Sequence, residues 1–284
     1  MPELQPLSPT DTAPLLRPLL VELLALLRSL SDVQWNAPTV AGRWRVRDIA
    51  AHLLDGELRK IAAYRDRHVL PLEAPIRSDA DLARLVNGLN AEGVQWGQRL
   101  SARLLTDLLA TTGEWASALL ESLPPHGESP WPVSWAGEAR SEQWMDTGRE
   151  YTERWHHQMQ IRAAVGAPPA LLERRWSKPL LDLAVRALPR GLAHLDASEG
   201  ASVVLVVEGV DGEYDTWTAR REEARWALYT GSAGVATCTV QARIDVAWRI
   251  FFNALSLDEA RRAVSIEGDA ALGEAVVRTR SIVM

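Results

Sequence analysis

The sequence predicts an α+β protein of two domains, an up-and-down four-helix bundle followed by a smaller α+β domain with an antiparallel sheet. Apolar residues recur at helical spacing as far as Gly166, and the pattern then changes to short β-branched runs. Asp211-Gly212, between two such runs, is a strong hairpin signal. A chain of 284 residues is long enough to bury two cores. We expect the domains to span residues 1–170 and 179–284.

The bundle is predicted from its helical periodicity and from residues that commonly begin or end helices. Ser101 and Ser141 are candidate N-caps, and Gly166 is a candidate C-terminal stop. The helices are expected near residues 11–30, 46–66, 79–100, 102–123 and 141–166.

The second half combines strands with shorter helices, which is typical of an α+β domain. The expected strands cover residues 202–208, 214–219, 225–229, 236–242 and 264–267. The expected helices cover residues 178–188, 244–255, 258–264 and 270–278.

Charge and cysteine content restrict the function classes. A formal charge of -6 argues against a nucleic-acid-binding surface, since such surfaces are usually basic. The single cysteine, Cys238, excludes an internal disulfide framework and fits a reducing cytoplasm, where we expect the protein. The leucine-rich run from Leu15 to Leu30 is interrupted by Arg17, Glu22 and Arg28, so we interpret it as an amphipathic helix, not a membrane anchor. A homodimer is the default expectation.

A candidate metal site rests on Glu153 and His157, four residues apart in a predicted helix. That spacing points a carboxylate and an imidazole the same way, so the two side chains can share one ion. His52, in an earlier predicted helix, is the leading candidate for a third ligand, and Gly56 leaves room one turn beyond it. The alternatives are a solvated charged face for the pair and a hydrogen-bonded core position for His52.

Two segments resemble the DinB-like superfamily. WRVRDIAAHLLDGE is similar to its first ligand-bearing helix, and ERWHHQMQIRAAVG resembles a segment of its mycothiol-dependent maleylpyruvate isomerase branch. The tail, including FFNALSLDEARRAVSIEGDAALGEAVV, is similar to sterol-carrier-protein-like domains. The resemblance implies a four-helix bundle that binds a divalent metal, most commonly zinc, with nickel or another divalent ion as alternatives. It assigns the ligand positions to His52, Glu153 and His157.

The resemblance also implies a low-molecular-weight thiol, mycothiol or bacillithiol, bound near the metal. Where the isomerase motif has aspartate before an Ile-Arg pair, this chain has Gln160. Gln160 and Arg162 are candidates for cofactor contacts, Gln160 as an orienting amide and Arg162 as a partner for an anion. The alternative for Arg162 is an interaction with the helix C-terminus.

The expected function is a metal- and thiol-dependent isomerase or S-transferase that acts on a small electrophilic substrate. Two alternatives remain open. The first is a metal-dependent hydrolase in which Glu150 or Asp146 moves protons. The second is a non-catalytic protein that binds a small molecule or lipid in its C-terminal domain. In that case the ligand would contact aromatic residues Trp217, Trp226, Trp248, Phe251 and Phe252.

Overall fold

The computed structural model describes residues 4–72, 75–232 and 234–283 of the chain. Two compact units are present, and neither is continuous in sequence. The helical unit contains Asp11–Ser129 and Glu142–Pro169. The sheet unit contains the N-terminal residues up to Thr10, Pro130–Ser141 and Ala170–Ile282. The chain passes from one unit to the other after Thr10, after Ser129, after Ser141 and after Pro169.

Among the described residues, the helical unit consists of five long helices and one short helix. Its helices are α1 (Ala13–Ser29), α2 (Asp32–Trp35), α3 (Val46–Arg65), α4 (Asp79–Gly97), α5 (Ala102–Ser122) and α6 (Gln143–Val165). Helix α1 packs against α5 and α6, while α3 packs against α4, α5 and α6. The predicted fold class, a helical N-terminal region followed by an α+β region, is therefore confirmed.

The ends of these helices follow local side-chain chemistry. Ser101 caps α5, because its Oγ accepts a hydrogen bond from the backbone N–H of Leu104 at 3.2 Å. Gly166 ends α6 with a left-handed φ of 67°, as the sequence predicted. The expected cap at Ser141 is wrong by one residue: Glu142 occupies the N-cap of α6. The Oγ of Ser141 accepts a hydrogen bond from the N–H of Val133 at 2.8 Å, which commits it to the preceding loop.

The apolar core of the helical unit lies mainly between α1, α3 and α5. Leu27, Ile49 and Leu105 are almost fully buried in one cluster, to which α6 contributes Ile161. Most of the remaining α6 residues are polar yet buried. This combination of polar composition and burial on α6 places the candidate metal ligands inside the bundle.

The sheet unit contains a six-stranded sheet of order β1-β4-β3-β2-β5-β6 among the described residues. The strands are β1 (Gln5–Pro6), β2 (Ser202–Glu208), β3 (Tyr214–Glu222), β4 (Arg225–Thr230), β5 (Cys238–Arg243) and β6 (Ser265–Gly268). The helices that follow in this unit are α7 (Arg174–Ala184), α8 (Leu188–Leu192), α9 (Ile244–Phe251), α10 (Leu257–Ala263) and α11 (Ala270–Arg278). All neighbouring strands are antiparallel except β2 and β5, which pair in parallel.

The five aromatic residues considered as lipid contacts, Trp217, Trp226, Trp248, Phe251 and Phe252, are all buried in the sheet unit. Trp217 is fully buried and donates from its Nε1 to Asp182 at 2.8 Å. Trp226 is also buried and donates from its Nε1 to the carbonyl oxygen of Leu192 at 3.1 Å. Both indole N–H groups therefore have protein partners, which is the usual arrangement for a core tryptophan. Within the described parts of the chain, no helix combines the length and apolar character needed to cross a membrane.

Candidate metal centre

Three side chains from α3 and α6 converge at one point inside the helical unit. His52 lies on α3, while Glu153 and His157 lie one turn apart on α6. A potential ligand atom from each of the three lies within 4.8 Å of the other two. Oε2 of Glu153 is 3.6 Å from Nε2 of His52 and 3.4 Å from Nε2 of His157. The structure thus brings together the three residues that the sequence singled out.

These separations suit donors around a single ion. Nitrogen and oxygen ligands bind zinc at roughly 2.0–2.2 Å, and tetrahedral geometry then places them about 3.3–3.5 Å apart. The two Glu153–histidine distances, 3.4 and 3.6 Å, are close to that value and long for a hydrogen bond. Two imidazoles and a carboxylate form a donor set suited to zinc and other divalent transition metals. The residues present therefore fit a divalent metal.

Gln160 fixes the orientation of one candidate ligand. Nδ1 of His157 lies 2.8 Å from Oε1 of Gln160. The amide oxygen can only accept, so Nδ1 donates in this contact and Nε2 is the nitrogen directed towards Glu153. Metal-binding histidines generally use such a partner to fix their tautomer. Gln160 therefore orients the candidate ligand His157 without belonging to the three-residue cluster.

His52 is held by packing. Its ring centroid lies 4.9 Å from that of Trp44 and 4.7 Å from that of His157. The His52 and His157 rings meet edge to face, at 73°. Nδ1 of His52 is buried and has no hydrogen-bond partner among the described residues. The other ring nitrogen, Nε2, is the one that faces Glu153 at 3.6 Å, so it is the candidate ligand atom of His52.

The electrostatics of the cluster favour the metal-binding protonation states. Burial lowers the pKa of His52, although the neighbouring Glu153 opposes this effect, so the imidazole tends to be neutral. Burial would raise the pKa of Glu153, but the close imidazoles of His157 and His52 outweigh it and hold that pKa well below its ordinary value. A neutral imidazole and an ionised carboxylate are the forms that bind metal.

His156 lies next to His157 but belongs to a different environment. Its Nδ1 is 2.7 Å from the carbonyl oxygen of Thr152, and its ring centroid is 4.0 Å from that of His157. Burial, followed by the proximity of His157, lowers the pKa of His156 to about 3, so this ring is neutral at physiological pH. The structure does not bring His156 into the cluster formed by His52, Glu153 and His157.

A buried ionic network lies beside the cluster on α3 and α6. Nζ of Lys60 is 3.3 Å from both Oδ2 of Asp146 and Oε2 of Glu150. Asp146 also accepts hydrogen bonds from Tyr64 and Arg149. Burial would raise the pKa of Asp146, but Arg149 and Lys60 outweigh it and lower that pKa to about 2. Asp146 is therefore a permanent anion that holds the surrounding cations and the Tyr64 hydroxyl.

A second part of the network reaches α5. Arg154 is 3% exposed; its Nε donates to Glu150 at 2.9 Å and its Nη2 lies 3.5 Å from Glu57. Glu57 accepts a hydrogen bond of 2.5 Å from the hydroxyl of Thr112. Burial raises the pKa of Glu57 to about 7, although Arg154 opposes this shift. Arg154 and Glu57 were not selected from the sequence, because charged residues at helical spacing usually indicate a solvated face.

Arg162, the second residue expected to contact a cofactor, is engaged within the helical unit. Its Nη2 donates to Glu22 at 3.1 Å, its Nη1 donates to the carbonyl oxygen of Pro168 at 3.0 Å, and Gln158 accepts from its Nε and Nη2. These contacts link α1, α6 and the segment after α6. They favour the alternative interpretation of Arg162 as a residue that stabilises the helix end.

Comparisons with known proteins identify a family and a shared fold. A family model described as the mycothiol maleylpyruvate isomerase N-terminal domain matches residues 16–162. A crystal structure of the mycothiol-dependent maleylpyruvate isomerase is 12% identical, covers 91% of this chain and 92% of that chain, and has a TM-score of 0.54. A histidine-to-alanine mutant of that enzyme matches with 12% identity, the same coverage and a TM-score of 0.52.

A third structure, sterol carrier protein 2 from Yarrowia lipolytica, is 10% identical, with coverage of 49% of this chain and 90% of that chain and a TM-score of 0.25. No curated protein matches the chain. The two isomerase structures show that the fold is shared across nearly the whole length, and the family match covers more than half of the sequence. The chain therefore belongs to the family of the mycothiol maleylpyruvate isomerase N-terminal domain.

Proposed function

We propose that the protein is a metal-dependent enzyme that uses a low-molecular-weight thiol to act on a small electrophilic substrate, as an isomerase or an S-transferase. The observation that carries the proposal is the convergence of His52, Glu153 and His157 in a bundle of this family. Zinc is the proposed ion, because the donor set is two imidazoles and one carboxylate. Mycothiol or bacillithiol is the proposed thiol, and mycothiol is part of the names of the matched proteins.

The residues of the chain have distinct roles in this proposal. A divalent ion held by the three ligands supplies a Lewis acid that favours the thiolate form of a bound thiol at neutral pH. Glu153 contributes the single negative charge of the ligand set, and its side chain is 34% exposed, so the cluster is open to small molecules. Trp44 covers the His52 ring and limits the access of water to that side.

The reaction follows from thiolate addition to an electrophilic carbon. In an isomerase, the new C–S bond turns a double bond into a single bond that can rotate, and the thiolate then leaves with the bonding pair. In an S-transferase, a proton adds to the neighbouring carbon and the C–S bond is retained. Three protein ligands are also the number commonly found in catalytic zinc sites, which keep one position for a reactant.

The hydrolase alternative has less support from the geometry. It depended on Glu150 or Asp146 as a proton carrier. Burial would raise the pKa of Glu150, but Lys60 and Arg154 lower it overall, and Asp146 is likewise held as an anion. A carboxylate with a lowered pKa is a weak base, so neither residue is tuned for proton abstraction at neutral pH. The lipid-binding alternative is disfavoured by the buried, hydrogen-bonded tryptophans of the sheet unit.

Metal content and thiol dependence test the proposal together. We expect protein purified without added metal to contain about one equivalent of a divalent ion per chain, and His52→Ala and His157→Ala to lose it. His126→Ala is the matched control, because that exposed histidine pairs with Glu142 outside the cluster. Turnover of maleylpyruvate and related electrophiles is then measured with mycothiol, bacillithiol, glutathione or no thiol. Retention of metal by both ligand variants, or turnover that needs no thiol, would overturn the proposal.

A further inference from the structure

Helix α6 is accessible beside the metal cluster at only two positions. Every residue from 145 to 162 is described, and all of them are buried except Arg149 and Glu153. These two residues are one helical turn apart, so their side chains lie on the same side of α6. Glu153 is a candidate metal ligand. Arg149 and Glu153 therefore form the accessible part of α6 beside the cluster, which we call the opening.

The facing side of α3 provides space next to this opening. His52, Gly56 and Lys60 follow one another at four-residue steps, so they lie on one face. His52 contacts Glu153, while Lys60 contacts Asp146, so the two helices run antiparallel and Gly56 lies midway between the contacts. A methyl group placed at Gly56 would have no neighbouring atom within 4 Å. Gly56 thus leaves open space on the face of α3 between His52 and Lys60, and we call this space the groove.

Arg149 has hydrogen-bond donors available for this groove. Asp146 accepts from its Nη2, and the structure gives the other guanidinium N–H groups no acceptor among the described residues. The Arg149 side chain is 25% exposed, whereas that of Asp146 is fully buried. Asp146 thus anchors the guanidinium from the protein side and leaves its remaining donors accessible.

We propose that Arg149 binds a carboxylate of the small molecule held at the metal cluster, and that this molecule lies in the groove beside Gly56. This inference rests on the proposed function and extends it to a class of ligand. Arg149 and Glu153 are four residues apart, a rise of about 6 Å along α6. We therefore expect the ligand to carry its metal-binding atom and its carboxylate on one short chain.

Local charge favours a carboxylate over a doubly charged phosphate. At neutral pH Glu57 keeps part of its proton, so the positive charge of the network slightly exceeds its negative charge, and a singly charged anion meets less repulsion there than a doubly charged one. The basic members are Lys60, Arg149 and Arg154, and the acidic members are Glu57, Asp146 and Glu150. A planar guanidinium also matches the two oxygens of a carboxylate, which a lysine ammonium does not.

The test uses protein loaded with Co²⁺ and two thiol probes of similar length, 3-mercaptopropionate and the neutral 3-mercaptopropanol. Binding is followed by the sulfur-to-cobalt charge-transfer absorption, which requires no turnover. We expect the parent protein to bind the carboxylate probe about tenfold more tightly than the neutral probe, since one charge-assisted bidentate contact contributes on that scale. Arg149→Gln should bind both probes with affinities within about twofold, and Arg149→Lys should retain part of the preference.

Two further variants keep the result interpretable. Gly56→Leu places a side chain in the groove and should weaken both probes without loss of Co²⁺, because a Cβ at this position contacts none of the three ligand residues. Arg162→Gln is the matched control on the same helix, since its guanidinium is engaged by Glu22 and Pro168. Equal binding of the two probes by the parent, an unchanged preference in Arg149→Gln, or loss of the preference in Arg162→Gln alone would each overturn the proposal.

The carboxylate can belong to the thiol or to the electrophilic substrate, and a second titration separates these sources. Succinate is added to protein already saturated with 3-mercaptopropanol. A spectral change that depends on Arg149 assigns the subsite to the substrate, while no change together with a retained preference for 3-mercaptopropionate assigns it to the thiol. Failure of the parent to bind Co²⁺ through His52 and His157 would overturn the proposed function as well. Normal Co²⁺ binding without a carboxylate preference would overturn the anion site alone.

Discussion

Nδ1 of His157 donates a hydrogen bond to Oε1 of Gln160 across 2.8 Å, three residues further along the same helix. The contact directs Nε2 of His157 towards Glu153. A neutral amide fixes the imidazole without adding negative charge, whereas a carboxylate in its place would draw the Nδ1 proton and make Nε2 a stronger donor. The residue in which this chain departs from the family motif thus sets the donor strength of a candidate ligand.

Two substitutions of Gln160 should change the metal affinity in opposite directions. Gln160→Glu, which has the same length, should strengthen binding by about tenfold, because its carboxylate increases the basicity of His157. Gln160→Met should weaken binding by about 10- to 100-fold, because the imidazole loses its orienting partner. The dissociation constant is measured for Zn²⁺ in competition with a chromophoric chelator.

Gln158→Met is the control for loss of a buried glutamine on α6. Its amide donates to the carbonyl oxygen of Leu19 at 3.2 Å, away from the metal cluster, so metal affinity should stay within about twofold of the parent. If Gln160→Met bound Zn²⁺ as tightly as the parent, the contact with His157 would have no role in metal binding.

The sequence was sufficient to select the residues of the candidate cluster because helical spacing is a local property. Glu153 and His157 lie on one face wherever a regular helix contains them. His52 reaches the same point only because of the way α3 and α6 pack against each other. Periodicity does not specify this packing, and the family resemblance supplied that information. The contact between Gln160 and His157 was anticipated as an orienting role, and its geometry needed the structure.

Other features depended on distant pairings that leave little local signal. Strand β1 consists of only Gln5 and Pro6 and forms by pairing with Thr230 and Tyr229. No alternation can be recognised in two residues. The buried network of Asp146 and Lys60 was missed for a related reason: charged residues on a polar stripe are usually solvated, and only the packing of two such stripes against each other buries them.

Loss of the Asp146 carboxylate should destabilise the fold. Asp146 is fully buried and holds Lys60, Tyr64 and Arg149, so Asp146→Asn leaves the Arg149 guanidinium without its counter-charge and Lys60 with Glu150 alone. The expected loss is about 3–5 kcal/mol in the free energy of unfolding, measured by urea denaturation. Asp66→Asn, which removes an exposed ion pair, should cost less than about 1 kcal/mol. Similar losses in the two variants would show that the buried pairs contribute no more than a surface pair.

The raised pKa of Glu57 predicts a specific pH dependence of stability. Burial raises this pKa from 4.5 to about 7, so the folded chain keeps a proton that the unfolded chain releases between these values. The free energy of unfolding contributed by Glu57 therefore falls as pH rises from about 4.5 to about 7, and is constant above that range. The glutamine in Glu57→Gln cannot ionise. The free energy of unfolding of this variant, relative to that of the parent, should therefore rise as pH rises from about 4.5 to about 7.

The measurement compares urea denaturation of metal-free parent and Glu57→Gln at several pH values from 5 to 8. The difference in the free energy of unfolding between the two proteins is then taken at each pH. Groups that both proteins contain, including His52 and His156, contribute equally to both values and cancel. Asp66→Asn should show a flat difference over the same range, since burial does not act on that exposed carboxylate. A flat difference for Glu57→Gln would mean that Glu57 is ionised in the folded protein already at pH 5.

Arg162→Gln should reduce stability without changing thiol binding. The substitution removes the contacts with Glu22 and with the carbonyl oxygen of Pro168, and hydrogen bonds to charged groups each contribute about 1.5–3 kcal/mol. A double-mutant cycle with Glu22→Gln measures the coupling between the two side chains. Weaker binding of 3-mercaptopropionate with unchanged stability would instead support an anion contact at Arg162.

Two glycines of α4 should respond in opposite ways to substitution by alanine. Gly97 packs so closely on the side chain of Ala51 in α3 that a methyl group at Gly97 would overlap it, whereas a methyl group at Gly88 would meet no atom within 4 Å. Gly88→Ala should raise the free energy of unfolding by up to about 1 kcal/mol, because alanine has the higher helix propensity. Gly97→Ala should lower it by about 1–3 kcal/mol, because α4 must move away from α3 to relieve the overlap. Both values come from urea denaturation at one pH, and stabilisation by Gly97→Ala would mean that α4 packs less closely on α3 than the structure indicates.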